Sequence, residues 1–147
     1  VQIKSCSAGP FVERVRSILP RVLREHGVTH EDLGLGFSVL LSMPMLGPKK
    51  VKFPHCHDLD KALFVFERTE RFRSHKCGRR SWRACLRQLH NFDAEWRDFE
   101  VAYHQILDES FDNLSSEGKV RLRHLKNSTA QYRQRQMERC EQLAMHA

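Results

Sequence analysis

The chain has 147 residues, 40% of them hydrophobic and 29% charged, with nine Phe and two Trp, which is too apolar for a disordered tail and enough for a domain-sized core. The net charge is +7, from 25 Lys and Arg against 18 Asp and Glu. The longest uncharged apolar run, Leu33 to Leu46, is broken by Gly34, Gly36 and Pro44 and falls short of a bilayer span.

Gly9-Pro10 precede Phe11, Val15, Ile18 and Val22, with Leu19 and Leu23 alongside, the spacing of one helix face that Gly27 should end. Pro20 removes an N–H and crowds the carbonyl four residues back, so the pattern reads as two short helices. Thr29 with Asp32 has the spacing of a capping box, and the apolar run from Leu33 to Met43 is expected to continue from it as a helix despite two glycines. From Met43 to His57, Pro44, Gly47, Pro48 and Pro54 stand among Lys49, Lys50 and Lys52 without a regular period, which predicts a long exposed basic loop over 43–57.

Asp58 is placed to cap a helix carrying Leu59, Leu63, Val65 and Phe66 that runs into Phe72 and stops near Gly78. Ser81 would cap the next, with Trp82, Cys85, Leu86 and Leu89 inward and Arg83 and Arg87 on another face. Asp93 begins the clearest amphipathic helix, in which Trp96, Phe99, Tyr103, Ile106, Leu107, Phe111 and Leu114 recur at three and four residues. Asn113 to Gly118 reads as a connector, and a long C-terminal helix follows over 116–146. Its apolar positions Leu122, Leu125, Tyr132, Cys140 and Leu143 are sparse, and self-association through it is one use of so weak a face. Only Val1–Ile3 and Val51–Phe53 have strand-like composition. The expected fold is all-α, a bundle of five or six helices forming one domain over 1–147, and the opening Val1-Gln2-Ile3 reads as a segment of a larger protein.

The charge is unevenly placed. Arg71, Arg73, Lys76, Arg79, Arg80, Arg83 and Arg87 lie in a stretch, Arg71 to Phe92, that contains no carboxylate, and these seven account for the whole cationic excess. Asp93 to Glu117 carries eight carboxylates opposed only by Arg97, whereas Lys119 to Ala147 carries seven Lys and Arg against Glu138 and Glu141. Those two segments can pair with each other, which leaves the arginine run for an outside partner. Guanidinium forks suit carboxylates and phosphates, so an acidic protein or peptide surface is the first expectation and sequence-nonspecific nucleic acid the second. Lys49, Lys50 and Lys52 with Phe53 form a secondary docking loop. The expected function is a non-catalytic protein–protein interaction or scaffolding module without a cofactor.

Cys6, Cys56, Cys77, Cys85 and Cys140 are odd in number and lack a disulfide framework, which fits an intracellular chain, cytoplasmic or nuclear. His55, Cys56, His57, His75 and Cys77 are the concentrated soft ligands. A zinc set of Cys56, His57, His75 and Cys77 would have to close across the helix starting at Asp58, roughly 24 Å long at 1.5 Å per residue. The adjacent His57-Asp58 pair, with His26 or His30 upstream, resembles the metal-dependent phosphohydrolases named for an adjacent His-Asp pair. In that family the pair closes an apolar helix; here it follows a basic loop and Asp58 is better used as a cap. No phosphate-cradling glycine loop, serine elbow or recognisable Cys-His frame is present, so no enzyme is expected.

Overall fold

The structure, a computed structural model, describes residues 8–43, 46, 49–73, 87 and 89–146. It is mostly helical. Among the described residues there are five α-helices, which we number α1 (Ala8–Glu25), α2 (Leu59–Arg68), α3 (Phe92–Ser110), α4 (Ser115–Ser128) and α5 (Ala130–Met145), and two short hydrogen-bonded strands, β1 (Leu40–Ser42) and β2 (Lys50–Lys52). No helix is long and apolar enough to cross a membrane among the described residues. The chain divides into two compact units, one from Val1–Val39 with Lys52–Arg71 and one from Leu40–Val51 with Phe72–Ala147.

In the first unit α1 packs on α2. Phe11 stacks on Phe66 at 4.4 Å between ring centroids, Val12 beside it is buried, and Arg16 reaches Asp60 at 3.5 Å. The expectation of two short helices is corrected: α1 runs unbroken through Pro20. Pro20 is exposed, so water can serve the carbonyl it deprives of a partner. Gly27, at φ 69°, ends the helix; its N–H bonds to the Arg24 carbonyl and that of Val28 to the Leu23 carbonyl, both at 3.0 Å. Asp58 caps α2 as its position predicts, accepting from the Asp60 N–H at 2.9 Å and the Lys61 N–H at 3.3 Å. Thr69 closes it by turning its buried hydroxyl back to the Val65 and Phe66 carbonyls.

Thr29 and Asp32 do form the reciprocal box, Thr29 N–H to Asp32 Oδ2 at 3.0 Å and Asp32 N–H to Thr29 Oγ1 at 3.1 Å, but no helix grows from it. Gly34 takes φ 59°, a left-handed turn that glycine adopts without penalty, and the chain then extends. Phe37 exchanges two backbone hydrogen bonds with Cys56, at 2.7 and 3.0 Å, in an antiparallel bridge.

In the second unit Leu41 and Met43 are buried while Leu40 is 56% exposed, the alternation of a strand. The expected helix over this run is therefore absent. The basic loop assigned to 43–57 is likewise corrected, since it contains β2, with Val51 buried and Lys50 and Lys52 turned outward. A three-residue strand is too short for its period to stand out among prolines and lysines. The core of this unit is α3. Phe92, Trp96, Phe99 and Tyr103 form a ladder of ring contacts at 5.6 to 5.8 Å, continued by buried Ile106, Leu107 and, just past the helix, Phe111.

Helix α4 meets α3 closely because Gly118 has no side chain: a Cβ there would stand 2.5 Å from Leu107 Cδ1. Asp108 fixes the register by accepting from the Ser115 hydroxyl and from Lys119 Nζ at 3.0 Å. The predicted single helix over 116–146 is divided at Thr129. The buried Thr129 hydroxyl bonds to the Leu125 and Lys126 carbonyls at 3.1 and 3.0 Å, and such back-bonding competes with the helix ladder.

Candidate functional site

The ends of the arginine run are seated on α3. Phe72 stands edge-on to Phe99 at 5.1 Å and Phe92 stacks on Trp96 at 5.6 Å. Phe92 and Phe99 are seven positions apart on one helix, about 10 Å at 1.5 Å per residue, so Phe72 and Phe92 meet the same element about two turns apart. Arg87 is exposed, and its carbonyl accepts the Asn91 N–H at 3.1 Å, one helical step before α3. Arg73 is half-buried, and Arg71, exposed in the 3-10 turn Glu70–Phe72, is the last residue of the first unit. Lys76, Arg79, Arg80 and Arg83, and the inward positions Trp82, Cys85 and Leu86, lie outside the described residues.

The secondary loop separates into two kinds of residue. Lys49, Lys50 and Lys52 are exposed. Phe53 is 1% exposed and is a core residue rather than a docking contact. Lys49 donates to Ser128 Oγ at 2.9 Å, and with Ser128, Gln131, Tyr132 and Arg135 it lines a small groove in the second unit. Sequence reasoning missed this grouping. Ser128, Tyr132 and Arg135 recur at four and three residues, but each is commonplace alone, and Lys49 lies 79 positions away from Ser128.

Of the zinc set, Cys56 and His57 are described and His75 and Cys77 lie outside the described residues. Among the described residues no three His, Cys, Asp or Glu side chains come together as a metal site. Burial pushes the Cys56 thiol above its ordinary pKa, the direction that makes it a poorer ligand and nucleophile. His55 and His57 stand edge to face at 5.3 Å. The His57 Nδ1–H donates to the Leu35 carbonyl at 3.0 Å, while His55 lies over Gly36 with its Nδ1 3.3 Å from Ser38 Oγ. Any side chain at position 36 would enter the His55 ring, with Cβ 1.7 Å from Nε2. His30, His57 and Asp58 do line one open cleft of about 630 Å³ with Arg16, Glu31 and Asp60, all in the first unit. Asp58 is committed to the α2 cap and Asp60 to Arg16, while exposed Glu31 stands 3.6 Å from His30 Nε2, and among the described residues these groups do not come together as a metal site. His26 is exposed at the end of α1 and does not line the cleft.

No protein-family model matches the chain, and no curated protein or solved structure does.

Proposed function

We propose that this chain is a non-catalytic interaction module whose arginine run docks an acidic protein or peptide surface. The observation that supports the reading is the placement of the aromatic rings flanking the run. Single-stranded nucleic acid is gripped by exposed rings on which bases stack, interleaved with cations. Here Phe72 and Phe92, at the two ends of the run, are turned inward onto Phe99 and Trp96, with Phe92 only 4% exposed. The described rings flanking the run thus offer no stacking platform beside its charges, and anchoring them on one helix lowers the ordering cost of binding. Three of the eight carboxylates from Asp93 to Glu117 have cations of their own nearby. Asp108 holds Lys119, Glu117 pairs with Arg121, and Asp93 acts on Arg133.

The test is a fluorescence-anisotropy titration of the chain with a labelled Glu/Asp-rich peptide and with random-sequence DNA and RNA across a series of salt concentrations. The proposal expects peptide binding that persists at physiological ionic strength. It also expects Arg83→Glu/Arg87→Glu to weaken that binding at least tenfold while the far-UV circular dichroism stays unchanged. Binding to every polyanion alike, with affinity falling log-linearly in salt, would replace this reading with nonspecific nucleic-acid binding.

A further inference from the structure

The groove where Lys49 meets the junction of α4 and α5 is lined by none of the described residues of the arginine run and carries a proposal of its own. Its walls are Lys49, Ser128, Gln131, Tyr132 and Arg135, with Leu46 as the apolar contribution. Two cations, an amide, a phenol and the hydroxyls of Ser128 and Thr129 line it, and among the described residues no carboxylate does. The nearest carboxylate along α5, Glu138, is occupied, accepting from Gln134 Nε2 at 2.9 Å. Lys49 is fixed by its hydrogen bond to Ser128 Oγ, and the Ser128 hydroxyl in turn donates to the Leu125 carbonyl at 3.1 Å. An ammonium group has three donors, so two remain after that bond. Arg135 adds a fork of N–H groups from one helical turn beyond Gln131 and Tyr132.

The size narrows the ligand. The cavity measures about 190 Å³, below the roughly 300 to 1,000 Å³ of pockets that enclose a whole cofactor or drug-sized molecule. It accommodates a group rather than a molecule. Donors from different elements, two cations in the lining and no competing acid among the described lining residues suit a compact, doubly charged, tetrahedral oxyanion better than a flat carboxylate. We propose that this groove binds a phosphoryl group, as free phosphate or as the phosphate of a small monoester, between Lys49 and Arg135.

Proton–nitrogen NMR of the intact chain, titrated with inorganic phosphate at constant ionic strength set by chloride, tests this directly. The expected result is saturable movement of the Gln131 and Tyr132 amide signals. Lys49→Met and Arg135→Gln should each weaken binding at least tenfold, whereas Arg139→Gln, one turn further along the same helix, should leave it within twofold. A parallel titration with O-phosphoserine distinguishes the two sources, tighter binding marking a monoester and equal or weaker binding free phosphate. The proposal fails if phosphate moves no signal beyond the chloride control, or if Lys49→Met and Arg135→Gln bind as the parent does while their spectra remain those of the folded chain.

Discussion

The Arg133 guanidinium lies over the Phe92 ring, 3.6 Å from its centroid, and joins the last helix to the first turn of α3. Its Nε is buried without a hydrogen-bond partner and Nη2 only reaches the Lys126 carbonyl at 3.4 Å, so ring contact is its principal interaction. Burial lowers its pKa, opposed by the charge of Asp93. A partly desolvated cation–π pair contributes about 0.5 to 2 kcal/mol. A double-mutant cycle with Phe92→Leu and Arg133→Met should return a coupling energy in that range by urea unfolding. Additivity within about 0.3 kcal/mol would mean that Arg133 merely lies near the ring.

Gly118→Ala sets two effects against each other. Alanine is favoured over glycine inside a helix by about 1 kcal/mol, whereas overpacking a core costs about 1 to 3 kcal/mol. Leu107, whose Cδ1 would be met at 2.5 Å, is 0% exposed, so its side chain would have to shift within the packed core. Overpacking should win, and the unfolding midpoint of Gly118→Ala should fall. In a Leu107→Ala background the same substitution should cost less or become favourable. A Gly118→Ala chain more stable than the parent would show that the helices separate readily.

Asp108 contributes to the acid limb of stability. The Ser115 hydroxyl first, and then Lys119, hold its carboxyl below the ordinary value of 3.8. A depressed carboxyl stabilises the fold above its unfolded value, and the contribution is lost as pH falls through the folded one. Urea midpoints of Ser115→Ala should therefore lie below those of the parent at neutral pH, and the gap should narrow once pH drops below 3.8. A gap independent of pH would assign the loss to packing at buried Ser115 alone.

Tyr103 contributes to the alkaline limb. Burial raises its phenol from the ordinary 10.0 to about 12, opposed by the charge of Arg121. The unfolded chain ionises first, so the stabilisation is intact below pH 10.0 and disappears as pH rises towards about 12. Tyr103→Phe should flatten the decline of the unfolding midpoint across that window, with phenolate absorbance at 295 nm reporting the ionisation. An equally steep decline in Tyr103→Phe would place the alkaline sensitivity elsewhere.

What the sequence made legible follows the length of each signal. The period of α3 repeats from Trp96 to Phe111 over four turns with every apolar position of the pattern buried, whereas Leu114, read as its last position, is 39% exposed beyond the helix end. Asp58 was readable as a cap because its task is satisfied within three residues. Pro20 misled because its cost depends on which side of the helix faces solvent, which no local pattern states. Thr129 misled for the opposite reason: its hydroxyl reaches carbonyls inside its own helix, a choice made by burial rather than by composition. The capping box at Thr29 is genuine, yet the helix expected after it does not form, because Gly34 two residues after Asp32 redirects the chain. The groove at Lys49 depends on contact between distant segments, so no spacing rule announces it.

The strands β1 and β2 belong with helices encoded much later. During synthesis Leu41, Met43 and Val51 emerge well before Phe92, so their apolar faces must wait without cover until α3 has been made. A chain cut short ahead of that helix would display a naked strand pair, and this is where misassembly and capture by chaperones should begin.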